Sequence, residues 1–260
     1  SVRDGNGDMK DILRAGKPQL VHRCGAVSER RVRQSEASGK KRRVWFFKDR
    51  RGRELAKDIY TEPDPIDVNT LANLGPLRAM AGVWEGQRGL DVKPKADGPK
   101  KQAYVERIEL QPIDPQTNGP QLLYGLRYHT HITKPDQVKT YHEQVGYWLW
   151  EPATGEVIHT VTIPRGMVVM AHGKAHADDK TFEVSATEVD PHFGVRSSPF
   201  LDHAFKTVEF RIKVFINDDG TWGYEEDTVL KIQGQAELFH HTDKNLLVKV
   251  AEPTPNPLAR

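Results

Sequence analysis

Apolar and polar residues alternate with a period of two over most of the chain from Gly82 onward, and this pattern predicts a long series of β-strands. Clusters of Pro, Gly, Asp and Asn separate the alternating segments, as they do in hairpins. The predicted strands cover about residues 83–90, 103–110, 122–132, 140–150, 157–163, 167–173, 181–186, 205–216, 221–232 and 235–250. Because no helical segments alternate with them, the sequence predicts an all-β domain with an antiparallel sheet.

A meander of about ten strands leaves exposed edges unless the sheet closes on itself. The predicted fold is therefore a closed antiparallel up-and-down β-barrel of about ten strands, which is wide enough to hold one small ligand. Before the first strand, Asn69 and Thr70 can cap a short N-terminal helix. Its residues Leu71, Leu74 and Leu77 recur every third position and share one face, so this helix is predicted to plug or cover something.

The chain before the barrel has a different character. Residues 1–57 show no sustained periodicity and are predicted to form a basic, largely disordered extension. Its one apolar cluster, residues 44–47, is either a strand that docks onto the domain or part of a non-native extension. Residues 58–69 carry two prolines among acidic residues and indicate a linker. The barrel domain is then assigned to residues 70–252 and a short tail to residues 253–260.

Charge is distributed unevenly along the chain. Residues 1–60 hold 17 Lys and Arg against 8 Asp and Glu, whereas the whole chain holds 38 against 36. A basic run such as residues 40–43 could contact nucleic acid or anionic lipid, but such runs are more often solvated, so nucleic acid is not the favoured partner.

Several classes of protein are disfavoured by what the sequence lacks. The single cysteine, Cys24, excludes an internal disulfide and a cysteine-based zinc site. No apolar stretch is long enough to cross a bilayer and no secretory signal is evident, so a cytoplasmic location is expected. Common hydrolase and phosphate-binding motifs are also absent, which disfavours an enzyme that relies on protein side chains alone.

The last predicted strand carries two adjacent histidines, His240 and His241. For an arbitrary pair, a surface or capping role is the more common one, yet imidazole is also well suited to bind haem iron or another metal. Simple alternation groups His240 with the apolar residues of the strand and predicts that His240 points inward. A second pair, His129 and His131, shares one face of its strand and is predicted to lie outside the barrel.

Several short motifs, in this order and spacing, resemble the nitrobindin-like family, also described as haem-binding or fatty-acid-binding-protein-like β-barrels of the lipocalin-like group. The matching residues are 74–77 (Leu-Gly-Pro-Leu), 82–86 (Gly-Val-Trp-Glu-Gly), 142–147 (His-Glu-Gln-Val-Gly-Tyr), 164–166 (Pro-Arg-Gly), and His241 with Leu246 behind it. The resemblance spans roughly residues 71–250.

The resemblance implies haem b in the barrel mouth, reversible chemistry with nitric oxide and isomerisation of peroxynitrite to nitrate. The family's proximal histidine falls on His241, which would be the metal ligand, and His142 falls on another family histidine. His240 stays the rival of His241, and a bulge around residues 242–243 would reconcile the family position with the alternation. Trp84 is assigned to packing at the barrel floor, with ligand contact as the second alternative. Arg165 could face a carboxylate or propionate at the rim, although a turn arginine is more often solvated.

The sequence also departs from the family pattern after its first strand begins. Residues 86–89 contain one residue more than the family's glycine motif, and the segment at residues 90–94 differs from the family's Tyr-Pro-Thr-like segment. The alternative function is therefore a carrier or sensor of a small hydrophobic ligand, such as a fatty acid, without haem. A homodimer is the only protein partner that the sequence suggests.

Overall fold

The computed structural model describes residues 59–255 and the backbone of two short strands, β1 (Phe47–Lys48) and β2 (Glu54–Leu55), which pair antiparallel. The predicted disorder of residues 1–57 therefore concerns a segment that, apart from these two strands, lies outside the described residues. The same holds for residues 256–260 of the predicted C-terminal tail. Within the described part of the chain, none of the helices is long and apolar enough to cross a membrane.

Ten long strands build the fold. They are β3 (Gly82–Lys93), β4 (Lys100–Pro112), β6 (Gln121–Thr133), β7 (Thr140–Glu151), β8 (Glu156–Ile163), β9 (Met167–Lys174), β10 (Thr181–Thr187), β12 (Phe205–Ile216), β13 (Trp222–Ile232) and β14 (Phe239–Ala251). Two three-residue strands, β5 (Gln116–Asn118) and β11 (Val195–Ser197), pair with β6 and β9. The described helices are short: α1 (Thr70–Asn73), a 3₁₀ helix (Gly75–Met80) and α2 (Pro199–Ala204).

The long strands form a closed barrel. Each pairs antiparallel with the strands before and after it, and β14 pairs with β3, so the last strand lies beside the first. The remaining contact joins β9 to β10 at His172 and Ser185. The predicted all-β, closed, up-and-down antiparallel barrel of about ten strands is therefore confirmed.

One end of the barrel is filled by the residues that precede β3. Leu74, Leu77 and Met80 are fully buried and pack in one core with Trp84 and Trp150. Gly75 has a left-handed φ of 53°, and a Cβ there would lie 2.5 Å from the Trp150 ring. The predicted short helix thus forms part of a plug that closes this end.

A β-bulge in β3 absorbs the extra residue of the glycine motif. Gly86 pairs with Glu106 and Gly89 with Tyr104, so two residues of β3 oppose a single residue of β4. One inserted residue switches the facing of all the residues after it. Gly86, before the bulge, and Asp91, after it, therefore both face the barrel interior, although they are an odd number of positions apart. The Tyr104 ring lies so close over Gly89 that a Cβ would come within 2.1 Å of it. The extra residue in the glycine motif therefore turns the Asp91 carboxylate toward the inner face of the barrel.

Candidate functional site

The barrel encloses a cavity of about 460 Å³ that opens at the end opposite the plug. The exposed residues Lys95, Arg165 and Phe205 mark its mouth, together with Leu201 of α2. A volume of this size lies within the range of pockets that hold small organic ligands. The geometry therefore provides a binding site inside the barrel.

The wall formed by β6 to β9 and β12 is mainly apolar. Its side chains include Ile132, Trp148, Ile163, Phe210 and Ile212. Such a surface favours a flat or elongated apolar group, because burying apolar area is worth roughly 25 cal/mol per Å².

The wall formed by β13, β14, β3 and β4 is acidic. Asp91, Glu106, Glu226 and Asp243 all line the cavity. Asp243 pairs directly with Asp91 on β3 and with Glu226 on β13, so three inward carboxylates stand in one row across three strands. Like charges at directly paired positions are destabilising. Burial and the nearby charge of Glu106 raise the pKa of Glu226, and burial and the charge of Glu226 raise the pKa of Asp243.

Glu106 forms the deepest part of the acidic wall and has no cationic partner among the described residues. Its Oε2 accepts hydrogen bonds from the Tyr224 hydroxyl at 3.0 Å and from Asn245 Nδ2 at 2.9 Å. The hydroxyls of Tyr104 and Tyr224 are 2.9 Å apart. Burial raises the pKa of Glu106 to about 7 even though both hydrogen bonds favour the charged form.

Glu106→Gln is expected to stabilise the protein at alkaline pH. A carboxyl whose pKa rises from 4.5 to about 7 on folding contributes stability below pH 4.5 that is lost as the pH passes 7. A glutamine amide oxygen can keep both hydrogen bonds without the charge. Denaturant unfolding should therefore find the variant more stable by about 3 kcal/mol at pH 8 and about equal to the wild type near pH 4.5.

Glu109→Gln, on the outer face of the same strand, is the matched control and should not show the gain of about 3 kcal/mol at pH 8, because this side chain is 47% exposed. A Glu106→Gln effect of the same size at both pH values would contradict the burial of a titrating carboxyl.

His241 lies at the mouth end of the acidic wall and lines the cavity, with its side chain 32% exposed. Its Nε2 lies 2.8 Å from Asp91 Oδ1 and 3.7 Å from Asp243 Oδ2. Burial opposes the charged ring, but the hydrogen bond with Asp91 and the neighbouring negative charges outweigh burial and raise the pKa of His241.

Asp91 also accepts a hydrogen bond from the Tyr141 hydroxyl, and Lys93 Nζ lies 3.8 Å away. Burial would raise the pKa of Asp91, but the hydrogen bonds from His241 and Tyr141 lower it below its usual value. The potential ligand atoms of Asp91, His241 and Asp243 all lie within 4.8 Å of one another.

His240 points out of the barrel, and the inward orientation predicted from alternation is wrong. Its side chain is 61% exposed, and its Nδ1 lies 2.7 Å from Asp227 Oδ2 on the outer face. The alternation misled because the apolar residues of β14 that share its parity, Leu246 and Val248, are about half exposed. The pairing of β13 with β14 runs without a register shift past residues 242–243, so the bulge that would reconcile the two predictions is not present in this pair.

The other predicted site residues are placed as follows. His142 lines the cavity with Nε2 3.0 Å from Gln144 Oε1, and burial lowers its pKa. Arg165 lies at the mouth and donates to the Tyr141 carbonyl. Trp84 is not among the lining residues; it is buried in the plug and donates from Nε1 to the Met80 carbonyl at 2.8 Å. The structure thus brings His241, His142 and Arg165 to the cavity and leaves His240 and Trp84 outside it.

His129 and His131 lie on the outer face, as the alternation predicts. His129 Nε2 is 3.0 Å from Glu143 Oε1, and His131 Nε2 is 3.0 Å from Thr140 Oγ1.

A hydrogen-bonded chain on β6, β7 and β8 was not predicted from the sequence. Tyr128 Oη lies 3.4 Å from Gln144 Nε2 and 3.1 Å from His159 Nε2, and Gln144 also contacts His142. His159 stacks on Trp148 with ring centroids 3.8 Å apart, and burial lowers the pKa of His159 to about 3. His159 is therefore neutral, and its Nδ1 has no hydrogen-bond partner in the described part of the chain.

Alternation within the predicted strands could have identified Glu106 and His159 as inward-facing residues. Glu106 shares parity with Tyr104, Ile108 and Leu110, and His159 with Val157 and Val161, so both were predictable as polar groups on an inner face.

A closed antiparallel barrel with His241 and a polar network facing an open internal cavity is an architecture suited to holding a small ligand or cofactor. The model of the family described as the THAP4-like, heme-binding beta-barrel domain matches residues 73–249, and the chain belongs to this family. Comparison with solved structures returns the crystal structure of Rv2717c from M. tuberculosis, with a TM-score of 0.48 and 20% identity. That alignment covers 68% of this chain and 96% of the other. No curated protein sequence matches the chain.

Proposed function

We propose that the barrel binds haem b through His241 and acts on nitric oxide and peroxynitrite. The observation that carries the proposal is that His241, on the last strand, is the member of the histidine pair that lines the cavity. The family match supports haem as the cofactor.

The residues of the cavity fit such a group on three counts. The apolar wall of β6 to β9 and β12 suits a porphyrin face, and Lys93, Lys95 and Arg165 supply positive charge at the mouth for propionates. His241 lines the cavity with a partly exposed imidazole, which is the side chain that would hold the iron. When bound, haem supplies an iron whose axial ligand and pocket polarity govern its chemistry with small molecules.

The remaining cavity residues would bind and orient the reactant. Burial keeps His142 neutral at neutral pH, so it offers a hydrogen bond without a charge. Gln144 and Tyr128 extend this polar surface inward to His159. The apolar wall excludes bulk water from the same space, which strengthens these hydrogen bonds.

Haem titration of the purified protein is the direct test. We expect a Soret band that saturates at one haem per chain, shifts when nitric oxide is added, and belongs to a species that accelerates peroxynitrite decay in stopped-flow measurements. Apomyoglobin, titrated in parallel, is the reference for specific uptake of haem. A protein without a haem site is the reference for non-specific uptake. A protein that shows only the non-specific spectrum would contradict the proposal.

The second candidate function is a carrier of a small hydrophobic ligand without haem. The apolar wall and the open mouth favour it. Because four carboxylates line the interior, a fatty acid would have to place its own carboxylate at the mouth, near Lys95 and Arg165. Native mass spectrometry of the purified protein would detect a retained ligand. The cytoplasmic location and the homodimer stay predictions.

A further inference from the structure

The connections between strands at the mouth of the barrel expose large apolar side chains. Because β3 begins at the plug and successive strands run antiparallel, the connections at the mouth are residues 94–99, 134–139, 164–166, 188–204 and 233–238. Val138, Phe200 and Leu238 are exposed in three of them, and Phe205 is exposed where β12 begins. The described connections at the plug end hold none of the exposed large apolar residues; they are residues 113–120, 152–155, 175–180 and 217–221.

Most of these apolar side chains form one arc of the rim, which we call the apolar arc and define as Phe200, Leu201, Phe205 and Leu238. Phe200 and Leu201 lie on α2, and Phe205 follows directly. The turn that carries Leu238 lies beside the end of α2, because the amide of Gln233 donates to the carbonyl of Ala204 at 3.1 Å. Contiguous exposed apolar surface next to the opening of a binding cavity indicates a contact site for a partner.

The other side of the rim is basic. The turns β3–β4, β6–β7 and β8–β9, with the first residue of β4, hold two carboxylates, Asp97 and Asp136, and five cations that we call the basic arc: Lys95, Lys100, Lys134, Lys139 and Arg165. Among the described residues, none of these five cations forms an ion pair. Burial lowers the pKa of Lys93; the charge of Asp91 opposes this shift, and the charges of Lys134, Lys95 and Lys100 add to it, so these cations lie close together.

The plug end carries charge of the opposite sign. Its four connections hold five aspartates and one lysine, namely Asp114, Asp178, Asp179, Asp218, Asp219 and Lys180. The segment of the rim that contains the apolar arc also holds four carboxylates, Glu188, Asp190, Asp202 and Glu237, of which Glu188 is paired with Lys206. Attraction to an anionic surface is therefore confined to the basic arc, and it turns the mouth rather than the plug toward such a surface.

We propose that the mouth of the barrel docks onto the surface of a bilayer that contains anionic phospholipid. The apolar arc enters the boundary between headgroups and acyl chains, and the basic arc contacts the lipid phosphates. The contact involves one leaflet only. Because residues of both arcs line the opening of the cavity, an apolar ligand can pass between the bilayer and the barrel without crossing bulk water. Docking does not depend on whether that ligand is haem.

Cosedimentation of the full chain with vesicles tests the apolar arc. The wild type should bind vesicles of phosphatidylcholine and phosphatidylserine more tightly than vesicles of phosphatidylcholine alone. Phe200→Ser and Leu238→Ser should each weaken binding about tenfold, because each removes an inserted apolar side chain. Leu246→Ser is the matched control: Leu246 is 48% exposed and Leu238 52%, but Leu246 lies on the side wall of the barrel and its loss should not change binding.

Charge variants test the basic arc in the same assay. Lys134→Gln and Lys139→Gln should each weaken binding to the anionic vesicles about fivefold, and added salt should reduce the difference from the wild type. Lys180→Gln at the plug end and Lys213→Gln on the outer face of β12 are the matched controls and should bind as the wild type does. The basic segment at residues 1–57 is present in every variant, so it cannot produce a difference among them.

A polarity-sensitive dye reports which end of the barrel meets the bilayer. In a Cys24→Ser background, which removes the single native cysteine, the dye is attached through Val138→Cys at the mouth or Val68→Cys at the plug end. Anionic vesicles should shift the emission of the dye at position 138 to the blue and leave the dye at position 68 unchanged. The opposite result would overturn the proposal.

The vesicle assay has three further outcomes that would overturn docking through the mouth. A wild-type chain that binds no vesicles contradicts it directly. Equal binding by the wild type and all the mouth variants would assign the lipid contact to residues 1–57. A chain that ignores vesicles but sediments as a larger species, which Phe200→Ser and Leu238→Ser dissociate, would assign the mouth to a second copy of the chain.

Discussion

His241→Ala is expected to abolish the defined Soret band of the haem-loaded protein, and His240→Ala is expected to leave it unchanged. His241 lines the cavity, whereas His240 is mostly exposed and contacts Asp227 on the outer face. Loss of an axial ligand changes the electronic state of the iron, so the spectrum reports the loss directly. Haem titration followed by absorption spectroscopy makes the comparison.

Unfolding curves of both variants provide the control for this pair. His240→Ala leaves Asp227 with its Arg211 partner, and an exposed ion pair contributes at most about 1 kcal/mol. His241→Ala removes a partner of the buried Asp91, which keeps its hydrogen bond from Tyr141. If the His240 variant lost the band and the His241 variant retained it, the assignment of the ligand would be reversed.

Trp84→Ala is expected to lower the free energy of unfolding by about 3–5 kcal/mol without weakening ligand affinity in the protein that remains folded. Trp84 is fully buried in the plug, donates a hydrogen bond to the Met80 carbonyl, and meets the Trp222 ring edge-on at 6.1 Å. It does not line the cavity. Denaturant unfolding measures the loss of stability. Haem titration at denaturant concentrations well below the unfolding midpoint measures the affinity of the folded protein.

Trp148→Ala is the matched comparison for Trp84→Ala. Trp148 is equally buried but lines the cavity and stacks on His159, so its loss should reduce both stability and affinity. A Trp84 variant that lost affinity as strongly as the Trp148 variant would show that the plug shapes the cavity, and would restore Trp84 to the binding site.

The barrel was predictable from the sequence because period-two alternation and turn residues recur through every long strand. The facing of individual residues was less accessible. On β14 the outer face carries Leu246, Val248 and Val250, each about half exposed, while the inner face carries His241, Asp243 and Asn245. Hydrophobicity therefore gave the opposite orientation to the one the structure shows, because the wall of a polar cavity reverses the usual rule that polar residues lie outside.

The acidic wall escaped prediction for a related reason. The facing of Asp91 depends on a bulge three residues earlier, and a bulge leaves no reliable mark in hydrophobic periodicity. The row of Asp91, Asp243 and Glu226 also depends on the pairing of strands that are distant in the sequence. Only the register of the closed barrel brings these three carboxylates together.

The seam between β3 and β14 joins the beginning of the barrel to its end, and Asp91 and His241 meet across 150 residues. Contacts of such long range are formed late, since loop closure must be compensated before they stabilise the chain. During synthesis on the ribosome, the cavity has neither its fourth acidic strand nor His241 until β14 has emerged. The binding site is consequently completed by the same event that seals the sheet, so an incompletely folded chain has no finished pocket in which to trap a ligand.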